Sequence, residues 1–242
     1  MGTVVSLDLR DDDVPTDALE DVVAWLHEVD RRFSPYLSGS EISRIADGEL
    51  AEADAHPDVR EVLAMTDALA VASGGAFDAR RWRSDDRLDP SGFVKGWSIQ
   101  VAADRLAAAG VRAFAINAGG DLAARGGPIP GADWRIGVRH PDRPDKVAAV
   151  LTVRDMAVAT SASYERGAHI RDPRDGRAPG GVRSMTVLGP SLTWADAYAT
   201  TAYVMGLGGL DWVAAHYGYA ALAITWDNRV RWTAGMDAYR TR

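Results

Sequence analysis

Cysteine is absent from the chain, which excludes disulfides, thiolate nucleophiles, Cys-bound zinc and lipidated cysteine. No apolar run is long enough for a membrane-spanning helix, so stable membrane insertion is not expected. A signal-peptide pattern is also missing, because Met1-Gly2-Thr3-Val4-Val5-Ser6-Leu7 leads directly into strand-like alternation. As written the chain is expected to be cytoplasmic; a trimmed native N-terminus would make an exported or membrane-anchored form the expectation. Basic runs are lacking too. With 27 Lys and Arg against 34 Asp and Glu the net charge is −7, which argues against a nucleic-acid-binding surface. An anionic ligand would have to be held locally, by helix termini, glycine turns, a metal ion or a few placed cations.

What is present is enough chain, 242 residues, for one large domain or two intertwined lobes with a core that needs no staples. Val5, Leu7 and Leu9 alternate as a strand, and Leu19, Val22, Val23, Leu26, Val29 and Phe33 recur at helical spacing. Ser38 and Glu41, three apart, resemble a capping box. A helix from Pro57 should stop at Ser73-Gly74-Gly75, and another should run from about Gly92 to Gly110. Strands are predicted at 114–117, 134–138, 147–153, 156–160 and 184–188, the middle three in antiparallel order, with a hydroxyl-rich turn over 160–166. Helices containing Asp196 and spanning 209–217, then a hairpin around Asp227-Asn228, complete the chain.

Several stretches carry chemistry. Asp196 and Thr200 stand four apart in an alanine-rich helical segment, so both oxygens share one face and suit Mg²⁺ better than zinc or copper. The plainer alternative is a first-turn Asp and a Thr bonded to its own backbone. Gly92 and Gly96 flank Lys95 at a helix start, which reads as an anion site or as a tight turn feeding a core helix. Asp78 and Asp121 each follow a double glycine, where a carboxylate can approach a ligand closely. Tyr36 sits in a turn, with partial burial the expected fate and a lid or ligand platform the alternative. His169 stands at a strand end entering the charged tight turn Arg171-Asp172-Pro173-Arg174-Asp175-Gly176, although a lone His is more often structural than catalytic.

In order, the chain contains Met-Gly-Thr, Phe-Ser-x-Tyr-x-x-x-Ser-Glu, Gly-Gly-Ala-Phe-Asp, Asp-x-x-Gly-x-x-Lys-Gly, Asn-x-Gly-Gly-Asp, Ala-Thr-Ser, His-Ile-x-Asp-Pro-x-x-Gly and Ala-Asp-Ala-x-x-Thr. This succession resembles the ApbE family of FAD:protein FMN transferases. The resemblance implies an α+β fold of mixed, largely antiparallel sheets with packed helices, a T-fold-like single domain over 1–242 whose two lobes enclose FAD. It further implies Mg²⁺-dependent transfer of the FMN half of FAD to a Thr or Ser hydroxyl of an acceptor flavoprotein, with release of AMP. Matching positions imply Asp196, Thr200 and the Gly92 carbonyl as metal ligands. They imply Met1, Tyr36, Ala76, Phe77, Asp78, Asp89, Lys95 and Ile170 as FAD contacts, with Asp121 and His169 also near the cofactor. His169, Asp196 and Lys95 fall at the catalytic positions, His169 as proton acceptor or phosphate ligand.

Three departures from the family pattern stand out. Only Ala79 to Leu88 separates Phe77-Asp78 from Asp89, so FAD should be held more openly there. The family turn Thr-Ser-Gly-Asp-Tyr is here Thr160-Ser161-Ala162-Ser163-Tyr164. The signal and lipidation cysteine of exported members are missing. Two other functions stay open at this point: an FAD pyrophosphatase giving free FMN and AMP, and a non-catalytic FAD-binding protein.

Overall fold

Apolar side chains along the central strands alternate between two cores, which explains why those strands read as nearly continuous apolar runs. The computed structural model describes residues 2–81, 87–143, 145–162 and 170–241. It begins with β1 (Val5–Leu9) and the helices α1 (Thr16–Phe33), α2 (Glu41–Ala46), α3 (Pro57–Ala72) and α4 (Ser91–Ala108). Strands β2 (Phe114–Ala118), β3 (Asp121–Arg125), β4 (Trp134–Arg139), β5 (Val147–Val153), β6 (Ala157–Ala162) and β7 (Ser184–Gly189) follow. The chain closes with α5 (Leu192–Met205), α6 (Gly208–Ala214), β8 (Ala220–Ile224) and β9 (Val230–Trp232).

The fold is α+β, with every described strand pairing antiparallel. Seven strands form one sheet in the order β1-β2-β3-β6-β7-β8-β9. The strands over 134–138 and 147–153 do not join it: β4 and β5 make a separate two-stranded ribbon. On one face of the large sheet Phe114, Ile116, Ala157, Ala159, Met185 and Val187 meet the helices. On the other, Leu122, Val158, Leu188, Leu222 and Ile224 meet the ribbon residues Trp134, Leu151 and Val153.

α1 buries Val22, Val29 and Phe33 of the predicted stripe and adds Trp25, which lay outside it, whereas Val23, expected on the stripe, is 51% exposed. Trp25 Nε1 donates to the Ser98 carbonyl at 2.9 Å, and both Trp25 and Phe33 pack edge-on or tilted against Trp97, fixing α1 on α4. The capping arrangement differs from the expected one. Ser40, not Ser38, caps α2 by accepting from the Ser43 amide at 3.0 Å, and the Glu41 carboxylate instead accepts from the His56 amide at 2.6 Å. α3 ends at Ser73, and Gly74 and Gly75 then take positive φ of 59° and 80°.

Residues 160–162, expected in a turn, are the end of β6, because Thr160, Ser161 and Ala162 pair with Thr186, Met185 and Ser184. The β3–β6 ladder holds only two residue pairs, Leu122 with Val158 and Ala123 with Ala157. Beyond them the Asp121 carboxylate accepts from the Thr160 amide at 2.8 Å. Among the described residues no helix is long and apolar enough to cross a membrane.

Candidate functional site

The close approach of α4 and α5 builds the site. A Cβ placed on Gly96 would lie 2.5 Å from the Leu192 carbonyl oxygen and 2.6 Å from Asp196 Cβ, so only glycine permits this spacing. Gln100, one turn further along α4, accepts from the Leu192 amide at 2.8 Å through Oε1 and donates to Asp104 at 2.9 Å through Nε2. Ser191, at the head of α5, makes no side-chain cap of its own. The start of α5 is therefore tied to α4 by a neighbour's side chain.

A cleft of about 250 Å³ opens where these helices meet the ends of β3 and β6. Gly92, Lys95, Asp121, Ile170, Asp196 and Thr200 line it, with Tyr36 at the loop after α1. Tyr36 is 82% exposed, a correction to the partial burial expected of it: the short Ser34-Pro35 turn carries its ring away from the core. Ala76 and Phe77 are instead core residues, Phe77 packed edge-on against Phe93. Asp78 accepts from the Arg80 amide at 2.8 Å. Asp89 accepts from the Ser91 amide at 3.0 Å and so ties down the first turn of α4. These four side chains do not line the described cleft. Met1 and His169 lie outside the described residues.

Charge is concentrated at Lys95, whose ammonium contacts Asp121 and lies 2.7 Å from Asp196 Oδ2. Both carboxylates are 4% exposed. Asp196 Oδ2 is buried and, beyond the Lys95 ammonium that compensates its charge at 2.7 Å, has no hydrogen-bond donor among the described residues. Thr200 Oγ1 is 3.0 Å from Ser161 Oγ. Its neighbour Thr201 turns the other way and donates to the Ala197 carbonyl at 2.7 Å. Among the described residues no three or more His, Cys, Asp or Glu side chains converge on one point. The available donor set is one carboxylate, one hydroxyl and backbone carbonyl oxygen, all hard ligands, a chemistry that fits a small divalent cation such as Mg²⁺.

Next to the cleft, Asp172 accepts from the Arg174 amide and guanidinium, and that guanidinium holds its carboxyl below the ordinary carboxylate range. Arg174 reaches back over the double glycine, its Cγ 3.4 Å from where a Gly75 Cβ would stand. The Arg174 side chain thus packs beside the glycines that follow α3.

The ApbE family model matches residues 1–82 and 79–223. The chain is 35% identical over 129 residues to the FAD:protein FMN transferase of Vibrio cholerae serotype O1, covering 49% of this chain and 39% of that protein. It is 36% identical over 163 residues to the Rhodobacter capsulatus protein of the same name, covering 63% of this chain and 31% of that one. The matched stretches thus span well under two thirds of these curated relatives. In structure, the flavin transferase ApbE from Vibrio cholerae superposes with a TM-score of 0.86 at 22% identity, over 99% of this chain and 96% of that one. The apbe protein of Thermotoga maritima gives 0.81 at 21%, over 99% and 95%. These two likenesses are of fold; the family match, which spans most of the chain, carries the assignment, and the chain belongs to the ApbE family.

Proposed function

We propose that residues 1–242 form one catalytic unit that transfers the FMN half of FAD to a Thr or Ser hydroxyl of an acceptor flavoprotein, with Mg²⁺ as cofactor and AMP as leaving group. The observation that carries this reading is the meeting of Lys95, Asp196 and Thr200 with the glycine-bearing start of α4 in one cleft. Relatives named for the activity support it.

In the proposed reaction the acceptor oxygen bonds to the FMN-side phosphorus, the bond from that phosphorus to the bridging oxygen breaks, AMP departs with the electron pair, and the acceptor hydroxyl's proton passes to His169 or to water. Such a transfer demands alignment and charge neutralisation more than covalent help from the protein. Lys95 and the amides at the head of α4 would hold phosphate oxygens. Asp196, Thr200 and the Gly92 carbonyl would hold Mg²⁺, which when bound supplies Lewis-acid stabilisation of the charge building on the pyrophosphate. Asp121 keeps the Lys95 side chain at the floor of the cleft. Tyr36, exposed at the rim, is available to cover a flavin or adenine ring.

The test is incubation with FAD and Mg²⁺, with and without an acceptor flavoprotein bearing a candidate Thr, followed by intact-mass analysis and AMP quantification. The acceptor should gain the mass of one FMN, and Asp196→Asn should abolish the gain. AMP and free FMN without any mass gain would replace transfer by hydrolysis; unchanged FAD bound to the protein would replace it by storage.

A further inference from the structure

Thr200 and Thr201 are adjacent on α5, yet their hydroxyls are used differently. Thr201 donates to the carbonyl four residues back, the ordinary fate of a helical threonine. Thr200 reaches across to β6, where Ser161 Oγ stands 3.0 Å away and either oxygen can be the donor. Both side chains are buried, both line the cleft, and Asp196 lies one turn before Thr200 on the same helix. A hydroxyl has one proton and two lone pairs. To offer a lone pair to a cation it must send its proton elsewhere, to an acceptor on the far side.

We infer that Ser161 is a positioning residue for the cation: it accepts the Thr200 proton, which turns a Thr200 lone pair into the cleft and leaves the Ser161 proton for an oxygen of the bound substrate. The inference rests on the Mg²⁺ reading above. The register supports it. Alternation along β6 puts Thr160 on the opposite face, where its hydroxyl pairs with Thr186 at 2.9 Å, so Ser161 alone of the two points at α5. Ala159, two positions earlier on the same face as Ser161, is buried in the helical core, so the serine marks where that face passes from packing into the cleft.

The experiment titrates Mn²⁺ into the full chain, alone and with FAD, and follows free Mn²⁺ by electron paramagnetic resonance. Ser161→Ala should weaken Mn²⁺ binding about tenfold while lowering the thermal midpoint of the cation-free protein no more than Thr201→Val, which also deletes one buried hydrogen bond. Ser161→Thr, which restores a hydroxyl, should recover the affinity, and Thr201→Val should leave it alone. If Ser161→Ala binds Mn²⁺ as the unaltered protein does while Thr200→Val does not, Ser161 has no positioning role and the cation site stands. A fall in affinity that Ser161→Thr does not recover would also overturn the inference. If Asp196→Asn and Thr200→Val both retain full affinity, the Mg²⁺ reading itself fails.

Discussion

Gly96 and Asp196 are in van der Waals contact across the α4–α5 interface, with only 2.6 Å between Asp196 Cβ and the place a Gly96 Cβ would take. The other close neighbour is backbone, the Leu192 carbonyl oxygen, which cannot rotate aside. Gly96→Ala should therefore push the helices apart and destabilise the protein by about 1–3 kcal/mol. Urea denaturation measures this; a midpoint unchanged from the parent would show that the interface is looser than described.

Gln100 gives the second prediction. It supplies an acceptor for the Leu192 amide, one of the first-turn donors that the helix itself leaves open. Gln100→Leu keeps the volume but leaves a buried N–H without a partner, at a cost of about 1–3 kcal/mol. Amide exchange at residues 192–195 should accelerate by more than at the far end of α5, and uniform acceleration along the helix would count against a capping role.

Lys95 compensates two buried carboxylates at once. Lys95→Met should cost on the order of 3 kcal/mol when the protein is kept in a chelator, because Asp121 and Asp196 are then left without their cation. Added Mg²⁺ should return part of that loss. Equal stability of variant and parent in chelator would rule out the charge compensation described here.

The pH dependence has a sign set by Asp142. Hydrogen bonds from Arg183 and Asn228 hold its carboxyl down at about 2, against an ordinary 3.8. Because the folded value is the lower one, the contribution to stability is complete above roughly pH 4 and disappears as the pH falls towards 2. Asp142→Asn should lower the thermal midpoint at pH 5 and match the parent near pH 2. A midpoint difference that stays constant between those two pH values would remove the linkage.

The sequence disclosed the site more completely than it disclosed the sheet. Asp196 with Thr200, and Gly92 with Lys95, are local spacings that survive into three dimensions because each pair rides on one helix. The separation of β4 and β5 from the main sheet was not legible, since their alternation shows a buried face without showing which core receives it. Ser161 read as part of a turn because Thr-Ser-Ala-Ser has turn composition; pairing with Met185 outweighed it. Tyr36 was misjudged for a related reason. Ring size favours burial, but the ring following Pro35 stands in a turn at the rim of the cleft and stays 82% exposed. The contribution of Gln100 was invisible, because its partner lies 92 positions away in sequence.

Asp121 holds the ammonium of Lys95 with one oxygen and the amide of Thr160 with the other, at the point where the β3–β6 ladder stops after two rungs. A side chain thus stands in for the next rung of the ladder. The fastening of the two strands and the charge centre of the cleft therefore share one residue, so neutralising Asp121 removes a charge from the cleft and a strand-to-strand hydrogen bond together. Loss of activity in an Asp121 variant would report an unfastened sheet as much as a missing charge, and the Thr160 amide is the probe that separates the two.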